Sequence, residues 1–208
     1  MNNLVLIILL TIHYANNLNY QLLDILYEDT NWILDEKLED NSEIYFKNIN
    51  DVNLKAIKIS RDIEIDPLQI LKVIKNVNNY NDILKNSPNV ITTPIKSVDG
   101  IVAKHDISIP LFNDLYYFFR IGESSNKVYW ALENSDDYKK YQSSGSALSI
   151  GCGGWDYKKK SNEIYEINYR LIFDISGYPN WVINYLNYYS LINVYNDVIS
   201  AALNKSNQ

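Results

Sequence analysis

The stretch from Gly177 to Leu203 constrains this 208-residue chain more than any other. Gly177-Tyr178-Pro179-Asn180-Trp181 closes one element and opens the next. Pro179 falls in a first helical turn, where proline is tolerated because the N–H it lacks has no partner there. No proline or glycine follows before Leu203, so the spacing predicts one long helix. Its apolar residues (Trp181, Val182, Tyr185, Leu186, Tyr188, Leu191, Tyr195 and others) are too many for a single surface stripe. Asn184, Asn187, Ser190 and Asn193 interrupt them, so the segment is not a membrane span. A helix of this kind is expected to be the lid of an apolar cavity. From Asn184 its polar residues recur every three positions, each step roughly 60° short of a full turn. The polar stripe therefore winds around the helix. This predicts a kink or a change of buried face near Tyr189-Ser190-Leu191. Trp181, Tyr185 and Tyr188 would roof the cavity, and the second half would pack on a sheet.

The chain is long enough for one domain with a real core, and no repeat or linker divides it. Met1–Ala15 reads as a targeting segment because Leu4–Leu10 is a continuous apolar run, too short to span a bilayer. Asn2-Asn3 supply no positive charge; the alternative is an uncleaved first helix. The expectation is an exported protein whose domain spans residues 16–208, and a cytoplasmic one if the signal is not cleaved.

Between the two ends the pattern alternates. Asn17–Tyr27 is amphipathic and predicts a short helix. Trp32–Glu39 and Ile44–Lys47 form a hairpin, and Leu54–Ile65 a third strand. Asp66-Pro67 starts a helix that runs to Val77, and Tyr80–Leu84 is a second short one. Six strands follow: Val90–Val98, Ile101–Ile109, Leu115–Gly122, Lys127–Glu133, Ser149–Lys158 and Ile164–Asp174. Asp99-Gly100 predicts a tight hairpin, and Asn134–Ser146 a longer polar loop. Consecutive strands with short turns make an antiparallel sheet, and one of this size curls. The fold class expected is α+β: a curved antiparallel sheet around a long C-terminal helix, with an internal apolar cavity.

Several motifs along this order resemble the START domain (steroidogenic acute regulatory protein-related lipid transfer), a helix-grip fold, and its small exported bacterial members above all. Trp32 and Ile44-Tyr45-Phe46 resemble the family's opening Trp and its I-x-V-Y strand. Asp66-Pro67 through Asn79-Tyr80-Asn81-Asp82 is similar to the helix that ends in x-Y-x-x-W, with Ile83 or Leu84 in place of Trp. Pro110-Leu111-Phe112-Asn113-Asp114 is similar to P-x-S-x-R-D, with Asn113 in place of Arg. Gly154-Trp155 is similar to G-x-W. Gly177-Tyr178-Pro179-Asn180-Trp181-Val182-Ile183-Asn184 is similar to G-x-x-P-x-W-L-x-N. The resemblance covers roughly residues 31–202 and implies binding and transfer of a sterol or other lipid under the last helix. It implies no catalysis and no cofactor. A monomer with transient membrane contact is expected, and the net charge of −6 argues against nucleic acid.

A few polar groups inside such a cavity would orient the ligand. The resemblance points to Asp106 and Arg120, because similar sterol-binding members carry an acid and an arginine on these strands. Alternation disagrees. Ile101, Ala103, Ile107 and Ile109 share one face, which turns His105 inward and Asp106 outward unless the strand bulges. Trp155, Trp181, Tyr185 and Tyr188 complete the expected ligand-binding set, with Pro110, Leu111 and Phe112 as the entrance loop. A catalyst of aromatase/cyclase type on the same scaffold is the alternative. No G-x-S-x-G elbow is present. Cys152 is the only cysteine and His13 and His105 the only histidines, too few for a metal site built on those residues.

Overall fold

The structure is a computed structural model and describes residues 18–133, 136–175, 177–186 and 191–206. The apolar run at residues 1–15 and Tyr188, Tyr189 and Ser190 lie outside the described residues.

Residues 18–27 form helix α1. Strands β1 (Ile33–Lys37), β2 (Glu43–Ile49) and β3 (Leu54–Glu64) follow, then helices α2 (Pro67–Lys75) and α3 (Tyr80–Ile83). Seven strands come next: β4 (Val90–Ile95), β5 (Ile101–Ile107), β6 (Leu115–Ser124), β7 (Lys127–Glu133), β8 (Ser146–Ala147), β9 (Gly151–Lys159) and β10 (Ile164–Phe173). Helices α4 (Asn180–Asn184) and α5 (Leu191–Ser206) end the chain. The sheet runs β1-β2-β3-β10-β9-β7-β6-β5-β4, so the last strand joins the first three to the rest. Every pairing on this path is antiparallel. β8 pairs with β6 in parallel; at two residues it is too short to show alternation. The predicted tight hairpin at Asp99-Gly100 is a longer loop, residues 96–100, because β4 ends at Ile95.

Alternation sends one side of each strand to the inner face. There Ile59, Phe119, Trp130, Trp155, Ile167 and Leu171 pack against Ile70, Val73 and Ile74 of α2 and Leu191, Tyr195, Val198, Ile199 and Ala202 of α5. Helix α2 starts as its sequence predicts: Asp66 accepts from the Leu68 N–H at 3.0 Å and Pro67 opens the first turn. Helix α5 is fixed by polar bonds as well. Asp197 is buried and accepts from the Asn86 N–H (3.0 Å), the Asn86 amide (2.7 Å) and the Ser87 hydroxyl (3.2 Å). The Tyr195 hydroxyl donates to Ile167 O at 3.0 Å.

The outer face is covered twice. Leu22, Leu23 and Leu26 of α1 pack over Ile49, Ala56, Cys152 and Ile172. Lys47 and Arg170 donate to the carbonyls of Ile25 (2.8 Å) and Leu26 (3.3 Å), which satisfies the C-terminal end of α1. Farther along, Tyr138 covers Ile95, Val102, Tyr116 and Phe118 from a 3-10 turn over Asp136–Tyr141. The sequence shows this segment only as part of a polar loop.

The glycine run in β9 is a matter of room. A side chain on Gly153 would lie 2.4 Å from Trp130 Cζ2 and 2.6 Å from Arg170 O. One on Gly154 would lie 2.3 Å from the Tyr27 hydroxyl on the other face. Glycine lets the Trp130 ring approach from inside and α1 from outside.

The last segment departs from regular α-helix within its described residues. Pro179 is extended (φ −58°, ψ 146°) and precedes α4, and its carbonyl accepts the first helical bonds, from Val182 and Ile183. Tyr185 and Leu186 are wound as π-helix, a departure that marks irregular or functional sites in helices. The kink expected near Tyr189-Ser190-Leu191 falls where Tyr189 and Ser190 lie outside the described residues. Val182 and Leu186, four apart on one face, are the buried residues of the first part, whereas Trp181 is 49% exposed.

Candidate functional site: an apolar cavity between sheet and helices

A cavity of about 70 Å³ lies between the inner face and the last segment. The sheet supplies its floor through His105, Tyr117, Phe119, Trp130, Trp155 and Tyr169. Ile74, Tyr80 and Leu84 close one side, and Leu186, Val194 and Val198 form the roof. None of the lining residues carries a charged side chain.

His105 is inside. The register from Ile101↔Ile121 to Ile107↔Leu115 is unbroken, so there is no bulge and alternation alone turns His105 inward. Its Nδ1 lies 2.9 Å from the Tyr117 hydroxyl, and its ring meets Phe119 at 4.6 Å between centroids. Nε2 is buried with no hydrogen-bond partner among the described residues, which costs about 1–3 kcal/mol. Burial pushes its pKa down to about 3, against a weaker opposing pull from Asp106, so the imidazole is neutral at ordinary pH. Burial raises Tyr80, Tyr117 and Tyr169 above the usual tyrosine range. All three stay neutral phenols.

Asp106 and Arg120 are outside, and their inclusion in the cavity is corrected. Both project from the outer face. Asp106 pairs with Lys104 at 2.8 Å and accepts from the Ser143 hydroxyl. Arg120 donates to Glu133 at 2.8 Å and to Asp99 O at 2.7 Å. They do not meet each other, because Asp106 sits opposite Tyr116 and Arg120 opposite Val102 in the β5–β6 register.

Trp155 lines the cavity and is sandwiched between Tyr169 (4.5 Å, 16°) and Tyr195 of α5 (5.3 Å, 8°). The stack binds α5 to the sheet. Trp181 and Tyr185 are not cavity residues. They face a shallow outer groove with Glu36, Leu38 and Ile192, and Leu186 takes the place expected for them. Tyr188 lies outside the described residues. The Pro110–Phe112 loop, expected to be the entrance, lies against the start of the last segment. Phe112 packs edge-on against Tyr178 (5.6 Å) and Trp181 (6.0 Å). Leu111, next to Pro110, is fully exposed and held at φ +62°, a conformation rare for a residue with a side chain.

Sequence reasoning missed the cavity aromatics Tyr117, Phe119, Trp130 and Tyr169. For Tyr169 a signal existed, since Ile167, Tyr169 and Leu171 alternate with Asn168 and Arg170. For Tyr117 and Phe119 there was none. Tyr116 and Phe118 on the other face are equally aromatic, because the 3-10 turn covers them.

No family model matches the chain, and no curated protein matches it in sequence. Solved structures do match. Human StAR-related lipid transfer protein 5 superposes with a TM-score of 0.66 at 11% identity, over 93% of this chain and 97% of its own. Human STARD10 does so with a TM-score of 0.64 at 14% identity, over 89% and 78%. The Zhui aromatase/cyclase from Streptomyces sp. R1128 reaches a TM-score of 0.53 at 12% identity, over 74% and 96%. At such identities the shared feature is the fold: this chain has the START helix-grip fold.

Proposed function

We propose that the protein is a non-catalytic carrier that binds a sterol or another lipid between its sheet and its C-terminal helices and transfers it between membranes. The observation that carries this reading is the uncharged, largely apolar cavity. Apolar surface moved there from water gains about 25 cal/mol per Å², which is the main force available for holding a lipid. The resemblance in sequence motifs and the shared helix-grip fold support it.

The cavity as it stands is smaller than the roughly 300–1,000 Å³ of ordinary ligand sites. Loading therefore requires part of its wall to move outward. Helix α5 is held by Asp197, Tyr195 and the Trp155 stack. Helix α4 has five residues and no side-chain bond at its N-cap, and π-wound turns follow it. α4 with the Pro110–Phe112 loop is the part that opens. Leu111, Phe112 and Trp181 present an exposed apolar tip there, suited to brief contact with a membrane, and the net charge of −6 favours a neutral one. The protein would act as an exported monomer.

The second reading is an aromatase/cyclase-like enzyme, favoured by the His105–Tyr117 pair inside the cavity. A general base works best with a pKa near the operating pH. At about 3, His105 is a weak base, and this places the enzyme reading second.

Native mass spectrometry and solvent extraction of the protein purified from its own cells test the proposal. A sub-stoichiometric lipid released on denaturation is expected. Protein that is lipid-free and fails to take up any lipid added to it would contradict the carrier.

A further inference from the structure

We propose that the protein has a second ligand site, a hydrophilic pocket on the outer face of the sheet that takes a small monocarboxylate bearing hydroxyl groups, of the sugar-acid class. The pocket has a volume of about 310 Å³, at the lower end of the roughly 300–1,000 Å³ of small-molecule sites. Strands β1, β2, β3 and β10 line it with Lys37, Glu43, Tyr45, Lys58, Ser60 and Glu166. Register puts these residues on one face. Glu43 is opposite Lys37 and Ser60, Tyr45 is opposite Lys58, and Glu166 is opposite Asp62, next but one to Ser60. Ala56, next but one before Lys58, packs under α1, so the face is the outer one. The apolar cavity lies on the other side of the sheet.

Most cations of the pocket are paired. Lys37 meets Glu43 at 3.4 Å, Lys160 meets Glu166, and Arg61 meets Asp40. Asp62 is exposed and acts on Lys160. Lys58 makes no ion pair among the described residues. Its ammonium lies over the rings of Tyr45 (4.2 Å) and Trp32 (5.2 Å), and burial lowers its pKa, with Arg170 adding to the effect. The lining as a whole sets four cations (Lys37, Lys58, Arg61 and Lys160) against three carboxylates (Glu43, Asp62 and Glu166). A half-buried ammonium in such surroundings calls for one counter-charge.

One unpaired ammonium sets one negative charge on the ligand. A second charge, as on a phosphate monoester, would be repelled by Glu43 and Glu166. The rest of the lining calls for hydroxyl groups. Glu43 accepts from Tyr45 and Lys37, and Glu166 from Asn168 and Lys160. An ionised carboxylate has about four lone-pair sites, so each can accept from a ligand hydroxyl as well. The Ser60 hydroxyl can donate or accept. An apolar chain does not fit, because every lining residue has a polar or charged side chain.

Calorimetric titration of the full chain with gluconate, glucose, butyrate and glycerol 3-phosphate tests the site, with amide spectra of 15N-labelled protein showing where gluconate binds. Gluconate should bind saturably and about tenfold more tightly than the other three, the worth of one charge-assisted hydrogen bond. Glucose lacks the charge, butyrate the hydroxyls, and the phosphate ester carries a charge too many. Amide signals should shift at Tyr45, Lys58 and Ser60 and stay in place at His105. Lys58→Met keeps the stem over the rings and removes the ammonium, and gluconate affinity should fall about tenfold. If Lys58→Met does not fold, the shifts in the wild type decide. No saturable binding of gluconate, equal or tighter binding of another probe, shifts centred elsewhere, or an unchanged affinity in Lys58→Met would overturn the site. None of these results bears on the carrier reading, which lipid binding tests separately.

Discussion

The Tyr117 hydroxyl lies 2.9 Å from Nδ1 of His105 inside the apolar cavity, on neighbouring strands that place the two residues directly opposite each other. The pair is the polar centre of an uncharged space. Tyr80 and Tyr169 bring two further phenols to the cavity lining, and Asp106 acts on His105 from the outer face.

His105 should make the fold acid-sensitive. Its folded pKa, about 3, lies below the unfolded value of about 6.5. Between these values the unfolded chain binds the extra proton, so stability is fully present above pH 6.5 and is lost as pH falls towards 3. The loss from this group is up to about 1.4 kcal/mol per pH unit. Urea melts of wild type and His105→Phe between pH 7 and 5, above most carboxylate titration, should show the wild type losing more stability than the variant.

Asp197 should be the strongest single tie on α5. Asp197→Ala removes three bonds and leaves the Asn86 N–H and the Ser87 hydroxyl without their partner. A loss of about 3 kcal/mol is expected, read as a lower denaturant midpoint with an unchanged slope.

Gly153→Ala should be severe for a one-carbon change. The new carbon would meet the Arg170 backbone carbonyl at 2.6 Å as well as the Trp130 ring, and the backbone cannot swing aside. A loss of about 3 kcal/mol is expected, together with a shift in tryptophan fluorescence as Trp130 is displaced.

Leu111→Gly should raise stability by about 1 kcal/mol, since the side chain is fully exposed and its φ of +62° suits glycine. The same variant should bind neutral vesicles less well in a flotation assay. A more stable protein with weaker membrane contact would explain why leucine occupies this place.

The sheet was legible because its strands alternate and its turns are polar. The inward turn of His105 was legible for the same reason. The expected Asp106–Arg120 pair failed on register. Their true partners, Lys104 and Ser143 for the one and Glu133 for the other, depend on how distant segments fold back. The roof failed differently. A helix apolar on all sides does not reveal which face is buried, and Val182 and Leu186 turn inward where Trp181 and Tyr185 were expected. The kink expected from the winding polar stripe falls at Tyr189-Ser190, outside the described residues.

The central claim is that the cavity itself carries the ligand, and lipid transfer between neutral donor and acceptor vesicles tests it most directly. Val194 lines the roof, so Val194→Phe fills the space from a helix that is otherwise firmly anchored. Wild type should accelerate transfer, and Val194→Phe should abolish it while melting within a few degrees of wild type. Equal transfer by both proteins would contradict the account.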